Sequence, residues 1–168
     1  MQSVLIFHFH SHITQPRVRR EYDFLLQNYK VSGLGYVDCN REGVKFYQIN
    51  KPKWTFKMKF IQRIWLLLRR YEKVYWDLPQ VKDAEEILKQ NSFDIIIAHN
   101  EETLPLVLKY RKNSKIIANM HEYSPREFEN YFWWKFYFAP YKHYLCKTYL
   151  PKVDYMYTVC EGIAEEYQ

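Results

Sequence analysis

Cysteine, glycine and proline are scarce in this chain, and each scarcity excludes a class of protein. The 168 residues include three cysteines, four glycines and seven prolines. Cys39, Cys146 and Cys160 are odd in number and far apart, which excludes a disulfide framework or a CxxC metal site and fits a reducing compartment. With 48% hydrophobic and 19% aromatic residues, so little glycine and proline excludes disordered, collagen-like and linker-like sequence.

Long apolar runs are missing as well. The longest uncharged apolar run, residues 64–68, is far shorter than the ~18 residues that a membrane span needs. Residues 1–8 lack the basic start and the apolar length of a signal peptide. The chain has the length of one domain, so we expect one cytoplasmic domain over residues 1–168.

Short β-branched runs alternate with helical segments along the chain. Strands are predicted at 4–9, 31–37, 44–49, 94–98, 115–120 and 154–159. Helices are predicted at 16–28, 55–75, 80–91 and 101–111, then from Pro125 with a break or kink at Pro140, and from Gly162 to Gln168. This alternation predicts an α/β fold: a Rossmann-like, open, mostly parallel sheet with helices on both faces.

Ligands of such sheets bind at the carboxyl ends of the strands, so three strand exits are candidate sites. The first exit holds His10, Ser11, His12 and Arg17, and it contains no glycine-rich dinucleotide fingerprint. Alternating histidines can bind a metal ion, or they can be the polar end of a strand. A helix beginning at Pro16 could hold a phosphate or carboxylate, or could simply expose a solvated first turn.

The other two exits carry His99, Asn100 and Glu101, and then His121 and Glu122. The first group could hydrogen-bond sugar hydroxyls, or the acid could only complement a helix dipole. A histidine beside a glutamate at a strand end suits acid–base or orienting work, although a plain helix start would explain the segment equally well.

Three segments follow one another between residues 94 and 164: Asp94-Ile-Ile-Ile-Ala-His99-Asn100, then Lys115-Ile-Ile-Ala-Asn-Met-His121-Glu122, then Val153-Asp154-Tyr-Met-Tyr-Thr-Val-Cys160-Glu161-Gly162. Their order resembles the N-terminal domain of GT-B glycosyltransferases, especially glycosyltransferase family 4. The resemblance implies that residues 1–168 are a single acceptor-side domain, half of a GT-B fold, without the C-terminal donor domain.

The resemblance also implies an activity. A bacterial enzyme of hexosyltransferase type would move a sugar from a nucleotide-sugar co-substrate to a glycan or lipid-linked acceptor, without metal or cofactor. His121 and Glu122 match the catalytic strand end, and the acceptor-binding candidates are His10, Ser11, His12, Arg17, His99, Asn100 and Glu101. The family usually has glycines where residues 10–12 stand, and its Glu-x7-Glu pair does not occur here, so we expect no sugar transfer by this chain alone.

The net charge of +6 is concentrated in two aromatic-rich segments. Residues 53–76 contain seven Lys or Arg and one acid, and residues 131–150 contain three lysines and no acid. For 57–76 the favoured interpretation is an apolar core face with a solvated basic face. For 131–150 we expect a surface patch that contacts a membrane, a lipid-linked acceptor or the missing domain. The patch candidates are Lys59, Arg63, Arg69, Arg70, Lys73, Trp133, Trp134 and Lys135.

Two other functions stay open at this stage. The His8-Phe-His10-Ser-His12 run is similar to the opening of metal-dependent phosphoesterases of the polymerase-and-histidinol-phosphatase type, which need further ligands on later strands. Basic residues among aromatics can also stack nucleic-acid bases, although a buried parallel sheet hides the usual stacking surface. A non-enzymatic membrane or nucleic-acid binding module is the remaining alternative.

Overall fold

The computed structural model describes residues 1–167, and its centre is a six-stranded sheet in which every paired strand is parallel. The strands are β1 (Ser3–Phe7), β2 (Lys30–Gly35), β3 (Lys45–Gln48), β4 (Ile95–His99), β5 (Lys115–Met120) and β6 (Tyr155–Thr158). They lie in the order β3-β2-β1-β4-β5-β6. The predicted Rossmann-like parallel sheet is therefore confirmed.

Seven α-helices lie between or after the strands in the described part of the chain. They are α1 (Pro16–Leu25), α2 (Phe56–Leu67), α3 (Tyr71–Trp76), α4 (Pro79–Gln90), α5 (Leu104–Lys109), α6 (Phe132–Tyr149) and α7 (Glu161–Glu166). Short 3-10 turns at Glu101–Thr103, Ser124–Arg126 and Leu150–Lys152 lie at the exits of β4 and β5 and before β6.

Side chains of β1 point alternately to the two faces of the sheet. Leu5 and Phe7 belong to the large core cluster that α3, α4, α5 and α6 cover. Ile6 faces the other way and packs with Val18 and Tyr22 of α1. Because both faces are covered, β1 is apolar at every position from Val4 to Phe7 rather than alternating.

The strand order reverses beside β1. The chain moves outward from β1 through β2 to β3, and then returns to place β4 on the other side of β1. At such a switch point the connections diverge, which leaves a crevice beyond the carboxyl ends of the two central strands. The exits of β1 and β4 therefore open into this crevice.

The prediction of one helix over 55–75 is wrong. Helix α2 ends at Leu67, and α3 begins at Tyr71 after Arg69, which has a left-handed backbone with φ of 53°. A left-handed residue cannot continue a right-handed helix, so α2 and α3 present separate faces.

The aromatic helix also differs from its prediction. Pro125 lies in a 3-10 turn, and α6 begins only at Phe132. Pro140 lies inside α6 without ending it. Its ring nitrogen cannot donate to the carbonyl of Phe136, so one hydrogen bond of the helix is missing at this position.

Gly35 is expected to be irreplaceable at the end of β2. A Cβ atom there would lie 2.6 Å from the carbonyl oxygen of His8 and would overlap the ring of His12. Gly35→Ala should lower the free energy of unfolding by about 1–3 kcal/mol, because the backbone at His8 would have to shift to make room for the methyl group. Urea denaturation measures this loss.

Gly162→Ala is the matched control. No heavy atom lies within 4 Å of a Cβ added at Gly162. Alanine is also the better helix former, so stability should stay equal or rise by up to about 1 kcal/mol. Equal stability losses in the two variants would contradict the close approach at Gly35.

Candidate functional site: a polar pocket at the strand ends

A polar pocket of about 220 Å³ lies at the exits of β1, β4 and β5. Its histidines come from the strand ends, its four glutamates come from the loops that follow, and its lysine comes from α6. These side chains are His8, His10, His121, Glu101, Glu102, Glu122, Glu127 and Lys142, with Gln15, Asn100 and Ser124 beside them. Donors and acceptors both face the cavity, as hydroxyl-rich ligands require.

One wall of the pocket is a buried ion pair between Glu101 and Lys142. Burial by itself raises the pKa of Glu101, but the Lys142 ammonium and the Ser124 hydroxyl outweigh it, so this pKa lies below its usual range. Burial opposes the charge on Lys142 too, yet the pKa of Lys142 is raised because Glu101 and Glu102 stabilise the ammonium. Both partners are therefore ionised at neutral pH.

His8 lines the pocket without using either ring nitrogen. The residue is 1% exposed, and neither Nδ1 nor Nε2 has a hydrogen-bond partner among residues 1–167. Burial, followed by the nearby His99, lowers the pKa of His8 far below its usual range, so the ring is neutral. A neutral imidazole offers one donor and one acceptor, which hydroxyl groups can satisfy together.

Behind the pocket wall, a hydrogen-bonded chain leads from α1 to His121. The Nε2 atom of His99 lies 2.9 Å from Oε2 of Glu21, and Nδ1 of His99 lies 2.9 Å from Nε2 of His121. The other oxygen of Glu21 accepts hydrogen bonds from Asn119 Nδ2 at 2.6 Å and from Tyr157 OH at 2.8 Å.

The structure brings several of the predicted site residues together. His10, Asn100, Glu101, His121 and Glu122 all line the pocket. The side-chain oxygen of Asn100 accepts a hydrogen bond from the backbone N–H of His121 at 3.2 Å, which ties the second and third strand exits together. Their assignment to catalysis or acceptor binding stays a prediction.

The other candidates lie outside the pocket wall. Ser11 forms an isolated parallel bridge with Val37, and Arg17 is exposed in the first turn of α1. His99 is fully buried behind His121. Both of its ring nitrogens are engaged, one with His121 and the other with Glu21.

His12 differs most from its predicted role as a substrate contact. The residue is fully buried, with Nδ1 2.8 Å from the Tyr22 hydroxyl and Nε2 3.0 Å from the Leu34 carbonyl oxygen. Both nitrogens are therefore engaged inside the protein, and His12 fastens the first exit to β2. Among residues 1–167, no group of three or more His, Cys, Asp or Glu side chains is arranged to hold a metal ion.

Sequence reasoning missed Glu21 and Lys142. A helical wheel offers a signal for Glu21, since it lies three residues after buried Val18 and four before Leu25, on the inward stripe of α1. Lys142 similarly adjoins the buried Tyr141 in α6. Neither pattern identifies the hydrogen-bond partners. Those of Glu21 are His99 and Asn119, which are 78 and 98 positions away along the chain.

The preferred interpretation of 57–76 as a core face is wrong for α2. Only Leu66 of this helix is buried, whereas Phe60, Leu67 and Leu68 are 57–59% exposed. Tyr71, Val74 and Tyr75 of α3 do enter the core. Helix α2 therefore has an apolar surface that the described residues leave uncovered.

The predicted surface patch at the start of α6 is exposed. Tyr131, Phe132, Trp133 and Phe136 are 52–70% exposed, whereas the second half of the helix is partly buried. We call the exposed aromatic and aliphatic side chains of α2 and of residues 131–136 the aromatic patch. No helix within residues 1–167 has the length and apolar character to cross a membrane.

Basic side chains border the aromatic patch. Arg63 lines a groove of about 310 Å³ with Trp133 and Trp134, between α2 and α6. The other predicted patch residues, which are Lys59, Arg69, Arg70, Lys73 and Lys135, are exposed. Lys73 is partly neutralised, since its Nζ atom lies 3.3 Å from Asp77 and 5.2 Å from the centre of the Trp65 ring.

Doubly wound parallel sheets form a large class of domains that bind their ligands at the switch point, and many of these ligands are nucleotides. Within this class, the sequence model of Glycosyltransferase Family 4 matches residues 35–168. This match covers most of the chain, and the chain belongs to that family. The resemblance of residues 94–164 is thereby confirmed.

The fold is similar to that of a solved glycosyltransferase, Arabidopsis thaliana UGT89C1 complexed with UDP-L-rhamnose. The TM-score is 0.51 at 15% sequence identity, over 88% of the present chain and 43% of that chain. The likeness shows the GT-B type of fold, and the present chain spans less than half of that protein. No curated protein matches the sequence.

The stability of the protein is expected to fall as the pH drops below 6.5. Burial is the main reason that the pKa of His12 is lowered to about 4, and it lowers the pKa of His8 further. Below pH 6.5 these two histidines are protonated in the unfolded chain but stay neutral in the folded chain. Their contribution to the free energy of unfolding is therefore fully present above pH 6.5 and is lost as the pH falls. Each ring should cost about 2 kcal/mol between pH 6.5 and 5.

Urea titrations at several pH values measure this slope. His8→Leu should reduce it by about 1.4 kcal/mol per pH unit between pH 6.5 and 5. His143→Gln, at an exposed position on α6, should leave it unchanged. An unaltered slope in His8→Leu would show that His8 is not kept neutral by the fold.

Proposed function

We propose that this domain is the acceptor-binding half of a glycosyltransferase that moves a hexosyl group from a nucleotide-sugar to a glycan or lipid-linked acceptor. The observation that carries the proposal is the polar pocket at the switch point of a family 4 domain. Its cavity of about 220 Å³ is roughly the size of one sugar ring. The unpartnered nitrogens of His8 and the surrounding carboxylates suit hydroxyl groups as both donors and acceptors.

In this proposal His121 faces the reacting sugar. Its Nε2 atom is held by His99 and its backbone N–H by Asn100, so the ring is fixed before a ligand arrives. A fixed polar group stabilises developing charge without having to reorganise. Glu122 adds an acidic group to the lining of the same pocket.

We further propose that the domain works at the cytoplasmic face of a membrane. The aromatic patch has exposed Trp, Tyr and Phe side chains with Arg and Lys beside them, the composition that favours an anionic lipid surface. The patch and Lys142 lie on the same helix α6, with Phe132 and Lys142 about 15 Å apart along its axis. A lipid-linked acceptor could thus rest its lipid at the patch and its sugar in the pocket.

Donor binding is assigned to a second domain in this proposal. The present chain spans 43% of UGT89C1, whose structure holds UDP-L-rhamnose. We infer that residues 1–168 alone bind an acceptor without transferring sugar to it.

The aromatic patch should bind vesicles that contain anionic lipid. Trp133→Ser combined with Phe136→Ser should weaken co-sedimentation with phosphatidylglycerol vesicles about tenfold or more, because each buried aromatic contributes about 2 kcal/mol. Salt should release the wild-type protein, since screening weakens attraction to the surface. Phe24→Ser is the control, because Phe24 is 68% exposed on α1 at the opposite face of the sheet. Absence of pelleting at low salt would remove the membrane proposal.

The acceptor proposal predicts sugar binding without turnover. In saturation-transfer NMR, the wild-type chain should bind members of a panel of neutral hexoses and N-acetylhexosamines, and His121→Ala should weaken that binding about tenfold by removing a hydrogen-bonding ring. His143→Ala, at an exposed site, should bind normally.

The same panel with UDP-sugars present tests the second half of the proposal. The expected result is no glycosylated product. Product formation by the 168-residue chain would contradict the need for a second domain. Binding that is equal in wild type and His121→Ala would remove the pocket as the acceptor site.

A further inference from the structure

Glu21 lies on α1, outside the pocket, yet it is linked to the pocket wall through His99. Its side chain is 17% exposed, and that of His99 is fully buried. One carboxylate oxygen lies 2.9 Å from His99 Nε2, and the other accepts hydrogen bonds from Asn119 and Tyr157. Burial opposes charge on Glu21, but the hydrogen bonds from His99 and Tyr157 outweigh it and lower its pKa. Glu21 is therefore an ionised carboxylate at neutral pH.

An ionised carboxylate can only accept hydrogen bonds, and this decides the proton positions along the chain of groups. His99 must donate from Nε2 to Glu21. With a single proton on its ring, His99 has a lone pair on Nδ1, which lies 2.9 Å from Nε2 of His121. His121 must in turn donate from Nε2, which leaves its Nδ1 atom without a proton.

We propose that Glu21 is a positioning residue that acts through His99 to hold His121 in the Nε2–H form, with Nδ1 presented as the acceptor for a ligand hydroxyl. His121 lines the pocket, and Nε2 is occupied by His99. Nδ1 makes no hydrogen bond with residues 1–167, so it is the nitrogen left for a ligand. The role of the acceptor nitrogen rests on the proposed function, whereas the proton positions do not.

The groups around His121 keep the ring neutral. The pKa of His121 is lowered to about 4, mainly by burial. The positive charges of His99, Arg17 and His10 also lower this pKa, whereas the negative charge of Glu21 raises it. His8 also packs against this ring, with 5.6 Å between ring centres. At neutral pH the ring therefore has a single proton, and its position decides whether the pocket meets a donor or an acceptor.

Glu21→Gln should move the ring proton of both His99 and His121 to the other nitrogen. Asn119 Nδ2 and Tyr157 OH both donate hydrogen bonds to the same side-chain oxygen of residue 21. The single oxygen of glutamine would stay with them, and its NH₂ group would then face His99. His99 would have to accept at Nε2 and donate from Nδ1, so His121 would take its proton on Nδ1 and offer the pocket a donor.

The test is long-range ¹H–¹⁵N NMR of the 168-residue chain at pH 7.5, in which protonated and unprotonated ring nitrogens have separate ¹⁵N shifts. In the wild type, both His99 and His121 should show Nε2–H rings. In Glu21→Gln both should show Nδ1–H rings. A wild-type His121 protonated on Nδ1, or a His99 protonated on both nitrogens, would overturn the proposal without any variant.

Two matched variants separate positioning from general disturbance. Asp23→Asn changes another carboxylate of α1 that pairs with Arg41 instead, at 2.7 Å, and it should keep the wild-type tautomers. Tyr157→Phe removes one bond to Glu21 but leaves the carboxylate on His99, so it should keep them too. Reversal in either control, or unchanged tautomers in folded Glu21→Gln, would show that Glu21 does not set the proton positions.

The sugar panel separates this proposal from the proposed function. If the tautomers reverse as expected but no hexose or N-acetylhexosamine binds, the positioning role stands and the acceptor assignment fails. If sugars bind through His121 while the tautomers do not respond to Glu21→Gln, the acceptor assignment stands and the positioning role fails.

Discussion

The Glu21 carboxylate is the interaction on which the organisation of the site depends. It extends from α1 and contacts residues of three strands, His99 of β4, Asn119 of β5 and Tyr157 of β6. A carboxylate in a largely buried position is stable only when hydrogen bonds replace the water it has lost. Three donors fulfil that need here, and satisfying the charge fixes α1 against the sheet edge where the pocket opens. The same bonds place His99 behind His121. The contacts that hold α1 on the sheet therefore also orient the histidines of the site.

The strands were predictable because their physical cause is local. Residues 95–98 and 116–118 are apolar at every position, which is typical of strands covered on both faces, and the structure contains both. The boundary between α2 and α3 was not predictable in this way. The apolar pattern of 57–76 continues past Leu68, while the left-handed backbone at Arg69 carries no glycine or proline signal. Likewise, Pro140 was expected to break or kink α6, and the helix continues from Phe132 to Tyr149 without a break.

For the site, sequence reasoning located the edge of the sheet but not the roles of the individual rings. His10, His12, His99 and His121 all follow strands, and a sequence does not distinguish a ring that faces a ligand from one that fastens the loop beneath it. The structure separates them by the partners of their nitrogens. His12 uses both on Tyr22 and Leu34, His99 uses both on Glu21 and His121, and His8 uses neither. Those partners are distant in the chain, so only the folded sheet identifies them.

Helix α6 joins the two surfaces that the proposed function requires. Its first residues form part of the aromatic patch, and its middle residue Lys142 closes the pocket through a buried ion pair with Glu101. A buried ion pair is costly to break, since removing either partner leaves a desolvated charge behind. The pair therefore holds α6 in register with the strand exits, and the distance from patch to pocket is set by the helix at about 15 Å. In the proposed function, this fixed spacing would favour acceptors whose sugar lies at a defined height above the membrane.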